Sequence, residues 1–222
     1  MTTLFKRLQN SCSTEWHAYT QHEFVRALNQ GTLSESSFQH YLMQDYLFLI
    51  QLSRAYAICV YKSDKLSEMR QASQLVNNIL DKEMKLHLRY CNEWGISSEV
   101  LEETQEATAT VAYTRFFLEI GMSGDLLDLH VALAPCVIGY GVIGDALINK
   151  PTIELSHNPF RHWIEEYGGW NYQQLAATAC SQLDSLSAKR GGEEPLPALV
   201  EIFRQATKLE AQFWQMGLDQ SY

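Results

Sequence analysis

Phe38-Gln39-His40-Tyr41-Leu42-Met43-Gln44-Asp45-Tyr46-Leu47-Phe48-Leu49-Ile50-Gln51-Leu52 carries the period of a helix. Phe38, Tyr41, Leu42, Asp45, Leu49, Leu52 and, just beyond, Tyr56 follow steps of three and four. That spacing stacks them on one face of an α-helix and divides them between the two faces of a strand. The same period runs outward in both directions. It predicts helices over 3–28, 34–62, 65–94, 105–122, 124–149, 160–167, 170–189 and 195–217. Asn29-Gln30-Gly31 reads as a helix stop, with Thr32 or Ser34 able to cap the next helix. Trp94-Gly95, Ser123-Gly124-Asp125 and Asn149-Lys150-Pro151 close later helices. Arg190-Gly191-Gly192 precedes the last, with Pro195 near its start. No strand, repeat or long linker interrupts the pattern. The expectation is an all-α, single-domain helical bundle over 1–222.

Composition agrees with such a bundle and removes other classes. Of the 222 residues, 46% are hydrophobic and 19% charged, too apolar for a disordered chain. A net charge of −9 argues against nucleic acid as a partner, because phosphate binding needs a basic face. The five cysteines, Cys12, Cys59, Cys91, Cys136 and Cys180, are odd in number and contain no C-x-x-C pair. They read as reduced thiols, and the polar residues after Met1–Arg7 offer no signal peptide, so a cytoplasmic location is expected. Val131–Ile148 has the length of a membrane span. Pro135, Gly139, Gly141, Gly144 and Asp145 within it favour a buried core helix and no membrane association.

Three anomalies point to chemistry. Asp45 shares the apolar face of its helix, so its carboxylate is expected to face the interior, where it needs a donor. It is either a core Asp paired with an Arg or a backbone group, or an acceptor for a ligand. Pro135 stands inside a helical pattern, where it removes a hydrogen bond and should kink the helix. Glycines at 139, 141 and 144 each cost about 1 kcal/mol relative to Ala in a helix, a cost usually offset by close packing or room for a ligand. Cys136, one turn before Tyr140, is either an inert buried thiol or a nucleophile beside the kink. Glu210 has Phe203, Phe213 and Trp214 at helical offsets. It is either a general acid against an aromatic wall or an exposed Glu paired with a nearby cation. Tyr113 and Tyr167 are further candidates that also read as ordinary core residues. Glu83 and His87 are four apart, and Asp128 lies near His130. Neither pair has the Glu-x-x-His spacing of a di-iron bundle, so no metal site is expected and Glu83/His87 reads as a surface or packing pair. No phosphate loop, Gly-x-Ser-x-Gly elbow or dinucleotide fingerprint is present.

In order along the chain, His22-Glu23-Phe24-Val25, Gly31-Thr32-Leu33, Phe38 through Tyr46, Pro135-Cys136 with Tyr140, and Glu210-x-x-Phe213-Trp214 resemble the TenA/thiaminase II family. The resemblance spans about residues 5–217, and Cys136 places the chain with the cysteine-containing branch. It implies a haem oxygenase-like fold, usually a homotetramer, with no metal or organic cofactor. It implies hydrolysis at the methylene carbon of a 4-amino-5-substituted-methyl-2-methylpyrimidine. The substrates would be thiamine or its degraded aminopyrimidine, and the product hydroxymethyl-pyrimidine for thiamine salvage. By match, Asp45 would accept hydrogen bonds from the aminopyrimidine edge. Cys136 would attack the ring carbon beside the ring nitrogen, and Glu210 would protonate that nitrogen. Tyr140, Tyr167, Tyr113 and Phe48 would line the pocket. The family often carries a Tyr where this chain has Phe48, thought to assist the nucleophile. Tyr46 points about 200° away from Phe48 on a helix, so Tyr113 or Asp45 would have to assist instead. The competing readings are an oxidase or oxygenase on the same fold, a non-catalytic pyrimidine-binding or regulatory protein, and a pure scaffold.

Overall fold

Where the period suggests one helix over 3–28, the chain builds three short ones. The computed structural model describes residues 2–191 and 195–222. Met1 and Gly192, used in the reading above, lie outside them. Helices α1 (Leu4–Ser11), α2 (Ser13–Thr20) and α3 (Glu23–Gln30) are separated at Cys12 and at Gln21-His22. Cys12 (φ −123°, ψ 34°) and Gln21 (φ −113°, ψ 25°) leave helical geometry. The His22 ring then accepts from Phe24 N at 3.2 Å and starts α3. Apolar spacing is insensitive to such breaks, because each piece buries the same kind of face.

The remaining helices are α4 (Glu35–Lys62), α5 (Leu66–Asn78), α6 (Met84–Glu93), α7 (Ser98–Glu103), α8 (Thr108–Ser123), α9 (Leu126–Ala134), α10 (Tyr140–Asn149), α11 (Arg161–Gly168), α12 (Trp170–Lys189) and α13 (Leu196–Asp219). No strand occurs among the described residues. Gly31 ends α3 in the left-handed region at φ 68°, and a Cβ there would fall 2.9 Å from Ile153 Cδ1. Ser34 caps α4 by accepting from Ser37 N at 3.1 Å. Asp125 and Asp128 cap the start of α9 reciprocally, each accepting the other's backbone N–H at 3.0 Å. That accounts for the carboxylate of Asp128, which lies in no metal set. Helix α7 was not foreseen. It is a short helix started by Ser97, which accepts from Val100 N at 3.4 Å.

Two breaks interrupt the α-helical winding, the first unforeseen and the second at Pro135, where the sequence marks a disturbance. Ile79–Glu83, between α5 and α6, and Pro135–Gly139, between α9 and α10, are single π turns. The second begins at Pro135, where a kink was expected. Proline lacks the N–H for an α-type bond, and widening by one residue relieves its clash with the preceding turn. The whole run from Leu126 to Asn149 is long and apolar enough to cross a membrane, yet 78% of its most apolar window is buried inside the protein.

Contacts group the chain into two compact units. One comprises 1–33 and 130–214, the other 34–129 and 215–222. In the second unit α4 is the central rod, packed against α5, α6 and α8. In the first, α12 packs against α1, the Pro135 π turn, α10 and α11, and α10 lies along α11.

Candidate active site

In the unit built on α4, Asp45 is 7% exposed. Its partner is His87 on α6, whose Nδ1 lies 3.5 Å from Asp45 Oδ2. The other ring nitrogen of His87 lies 2.9 Å from Leu42 O, one turn before Asp45 on α4. His87 is thus buried against α4, which removes the surface alternative and keeps the packing one, with Asp45 as a contact that the sequence did not indicate. Burial, with the nearby Glu83 carboxylate adding to it, pushes Asp45 up to about 7. Burial pushes His87 down to about 4, against the opposing hydrogen bond to Leu42.

Gln44, also unforeseen, fixes the approach of α8. Its Nε2 donates to Gln105 O at 2.9 Å. Its Oε1 accepts from Ala107 N at 2.9 Å and from Thr110 Oγ1 at 2.7 Å. Ala107 has no side chain to cap α8, so the Gln44 amide does it from another helix. Helix α8 thereby brings Tyr113 to Phe48, with ring centroids 5.3 Å apart. Phe117 stands edge-on to both, at 5.5 Å from Phe48 and 5.7 Å from Tyr113.

In the other unit, Cys136 sits on the Pro135–Gly139 π turn. It is 7% exposed, and its thiol donates to Leu133 O at 3.1 Å. Two tyrosines hold the turn. Tyr19 donates to Pro135 O at 3.1 Å and Tyr172 to Cys136 O at 3.4 Å. The three glycines serve close packing. A Cβ on Gly139 would meet the Tyr19 ring at 2.6 Å, and one on Gly141 would meet Ala176 at 3.0 Å. A Cβ on Gly144 would run into the backbone of Tyr167 and Gly168. Gln173 ties the same crossing, its Nε2 donating to Gly141 O and Tyr167 O, both at 2.9 Å. Asn158 sets the start of α11 by donating to Leu28 O and accepting from Phe160 N.

These contacts assemble an aromatic wall. Tyr140 lies 4.9 Å from Tyr167, 5.9 Å from Trp163 and 5.2 Å from Trp214, and Trp163 lies 4.5 Å from Tyr167. Glu210 stands one turn before Trp214 on α13 and is 1% exposed. That removes the alternative of an exposed glutamate. Phe203, Phe213 and Trp214 beside it are all buried, as the spacing implied. Cys136, Tyr140, Tyr167 and Glu210 therefore share one unit, and Asp45, Phe48 and Tyr113 the other. None of the five cysteines is in a disulfide. Burial pushes Cys59 and Cys91 up to about 12, as suits inert core thiols. Among the described residues no three His, Cys, Asp or Glu side chains are grouped so as to hold a metal ion.

The all-α architecture is that of the haem oxygenase-like fold. A Shewanella denitrificans domain of that fold superposes with a TM-score of 0.77 at 12% identity, over 97% of this chain and 92% of its own. Residues 10–220 match the model of the TENA/THI-4/PQQC family, and the chain belongs to that family. It is 35% identical over 205 residues to an aminopyrimidine aminohydrolase of Halalkalibacterium halodurans, covering 92% of this chain and 91% of that one. A crystal structure of a TenA family transcription regulator from Silicibacter sp. TM1040 is 44% identical. It superposes with a TM-score of 0.92 over 97% of this chain and 96% of its own.

Proposed function

We propose that the protein cleaves aminopyrimidines hydrolytically and returns the pyrimidine half of thiamine to synthesis. Kinship with aminopyrimidine aminohydrolases over most of the chain makes it a hydrolase of the thiamine pathway. The observation that carries the finer reading is Cys136, a buried thiol on a π turn held by two tyrosines, in the same unit as a buried glutamate and a wall of rings. Such π turns are frequent at functional sites.

The substrates are 4-amino-5-aminomethyl-2-methylpyrimidine, thiamine, or both. The Cys136 sulfur adds to the ring carbon beside the ring nitrogen while Glu210 protonates that nitrogen. The electron pair gained by the ring then expels the amine or thiazole from the methylene carbon. The proton shed by the thiol on attack leaves with the amine or to solvent. Water then adds its oxygen to the exocyclic methylene, and the ring nitrogen returns its proton to Glu210. The sulfur leaves and takes up the remaining proton of the water as hydroxymethyl-pyrimidine is released. Tyr140 and Tyr167 supply aromatic faces for the flat ring, and Tyr113 and Phe48 are the aromatic candidates of the other unit. Asp45 recognises the amino edge. The protein works in the cytoplasm as a homotetramer. Large exposed apolar side chains in each unit, Tyr61, Leu66 and Met122 in one and Trp170 in the other, support assembly.

The test is to incubate purified protein in EDTA with each pyrimidine and follow hydroxymethyl-pyrimidine by chromatography. Steady turnover is expected. Calorimetric binding of the pyrimidine with no product would instead favour a binding or regulatory protein, a reading that the name of the Silicibacter relative keeps open.

A further inference from the structure

The contact between Asp45 and His87 constrains where its proton sits. A backbone carbonyl can only accept, so the 2.9 Å approach of His87 Nε2 to Leu42 O puts a hydrogen on Nε2. In the neutral ring Nδ1 is then a bare lone pair, and it faces Asp45 Oδ2 at 3.5 Å. An ionised Asp45 would set one lone pair against another in a buried place. One proton must lie between them, on the carboxyl or on the ring.

The other groups near Asp45 bias that choice. Glu83, on the π turn one helical turn before His87, adds negative charge on the Asp45 side. Cys91, one turn after His87, is a buried neutral thiol that also feels Asp45. No cation is among these groups. Burial holds the carboxyl up near 7 and the imidazole down near 4, so the proton belongs to Asp45.

We propose that His87 is a positioning residue that keeps a proton on Asp45, so that Asp45 meets its ligand as a neutral acid. This deepens, and rests on, the reading of the protein as an aminopyrimidine hydrolase. The amino edge of a 4-aminopyrimidine offers one donor, the amine, beside one acceptor, the ring nitrogen. A neutral carboxyl is its complement: one oxygen accepts from the amine and the other donates to the ring nitrogen. A carboxylate offers two acceptors and meets the ring nitrogen with a lone pair. At 3.5 Å the hydrogen is only loosely held by His87 and is free to turn to the ligand. The ligand class selected is a neutral amino-heterocycle with a ring nitrogen next to the amine. Its complex carries one shared proton, so affinity falls as pH rises past the point where free Asp45 ionises.

The test has two arms. Nitrogen-15 shifts of the His87 ring in the ligand-free protein report the tautomer without any assumption about function. Calorimetry of hydroxymethyl-aminopyrimidine binding between pH 5.5 and 9 reports the consequence. Expected are a protonated Nε2 and bare Nδ1 throughout, with affinity falling toward tenfold per pH unit above about 7. His87→Gln, which keeps a donor for Leu42 and an acceptor for Asp45, should hold the midpoint of that profile. His87→Leu removes the lone pair that faces Asp45 and should lower the midpoint by up to roughly half a pH unit, less than an ordinary hydrogen bond would give because the contact is long. An imidazolium at His87 near neutral pH, or equal midpoints in the two variants, overturns the proposal. If His87→Leu does not fold, the wild-type shifts still decide it. Absence of any binding by wild type at any pH overturns the aminopyrimidine reading, while the ring shifts still locate the proton.

Discussion

Asp45 and His87 are ionisable groups buried against their own charge, and each leaves a mark on stability with opposite sign. Asp45 stands near 7 in the fold against an ordinary 3.8, so between these values the folded state holds more protons. Its contribution falls as pH rises through that window. His87 stands near 4 against an ordinary 6.5, so the unfolded state holds more protons there and stability rises with pH. In wild type the two slopes oppose each other between about 4 and 6.5. Single substitutions should expose them. Stability of Asp45→Asn should rise by roughly 1–3 kcal/mol from pH 4 to 6.5, and that of His87→Gln should fall by a similar amount from pH 4 to 7. Urea midpoints across pH check both, and parallel profiles for the two variants would contradict the account. The sequence pattern brought Asp45 to notice because a carboxylate on an apolar face is anomalous. His87 escaped notice because its partner lies 42 positions away across two helices, a contact that local spacing does not encode.

At the scale of elements, the two π turns change the facing of candidate groups relative to a regular helix. Ile79–Glu83 precedes His87, and Pro135–Gly139 contains Cys136. Pro135 and the glycines after it are visible in the sequence, and they do mark a special helix. The form it takes was not legible, because a proline permits a kink, a stop or a π turn, and tertiary partners such as Tyr19 select among them. Two substitutions test the packing around these elements. Gly144→Ala should cost about 3 kcal/mol, since its methyl meets backbone that has nowhere to move. Gln44→Ala strands the Ala107 N–H in the interior and leaves the Thr110 hydroxyl only the weak acceptor Met216 Sδ, and should cost about 2–3 kcal/mol. Thermal melts check both, and a loss under about 0.5 kcal/mol in either would show that the crossing or the cap matters little. Glu210 was legible as a candidate from Phe213 and Trp214, but the same spacing fits an exposed helix. Only burial separates the two readings.

Across the whole molecule, the helical class and most helix ends follow from periodicity, glycine stops and caps such as Ser34. The breaks at Cys12 and Gln21-His22 do not, because three short amphipathic helices and one long one show the same apolar period. The partition into two units, each made of segments far apart in sequence, is likewise invisible to local patterns. Light scattering should give a particle of four chains, and a monomer at micromolar concentration would contradict the proposed tetramer. The central claim is that Cys136 performs the chemistry on an aminopyrimidine. The most direct measurement is the initial rate of hydroxymethyl-pyrimidine formation by Cys136→Ser, at saturating substrate and with folding verified by circular dichroism. The account expects a loss of kcat of at least about a thousandfold with pyrimidine binding retained. Turnover within a few-fold of wild type would contradict it.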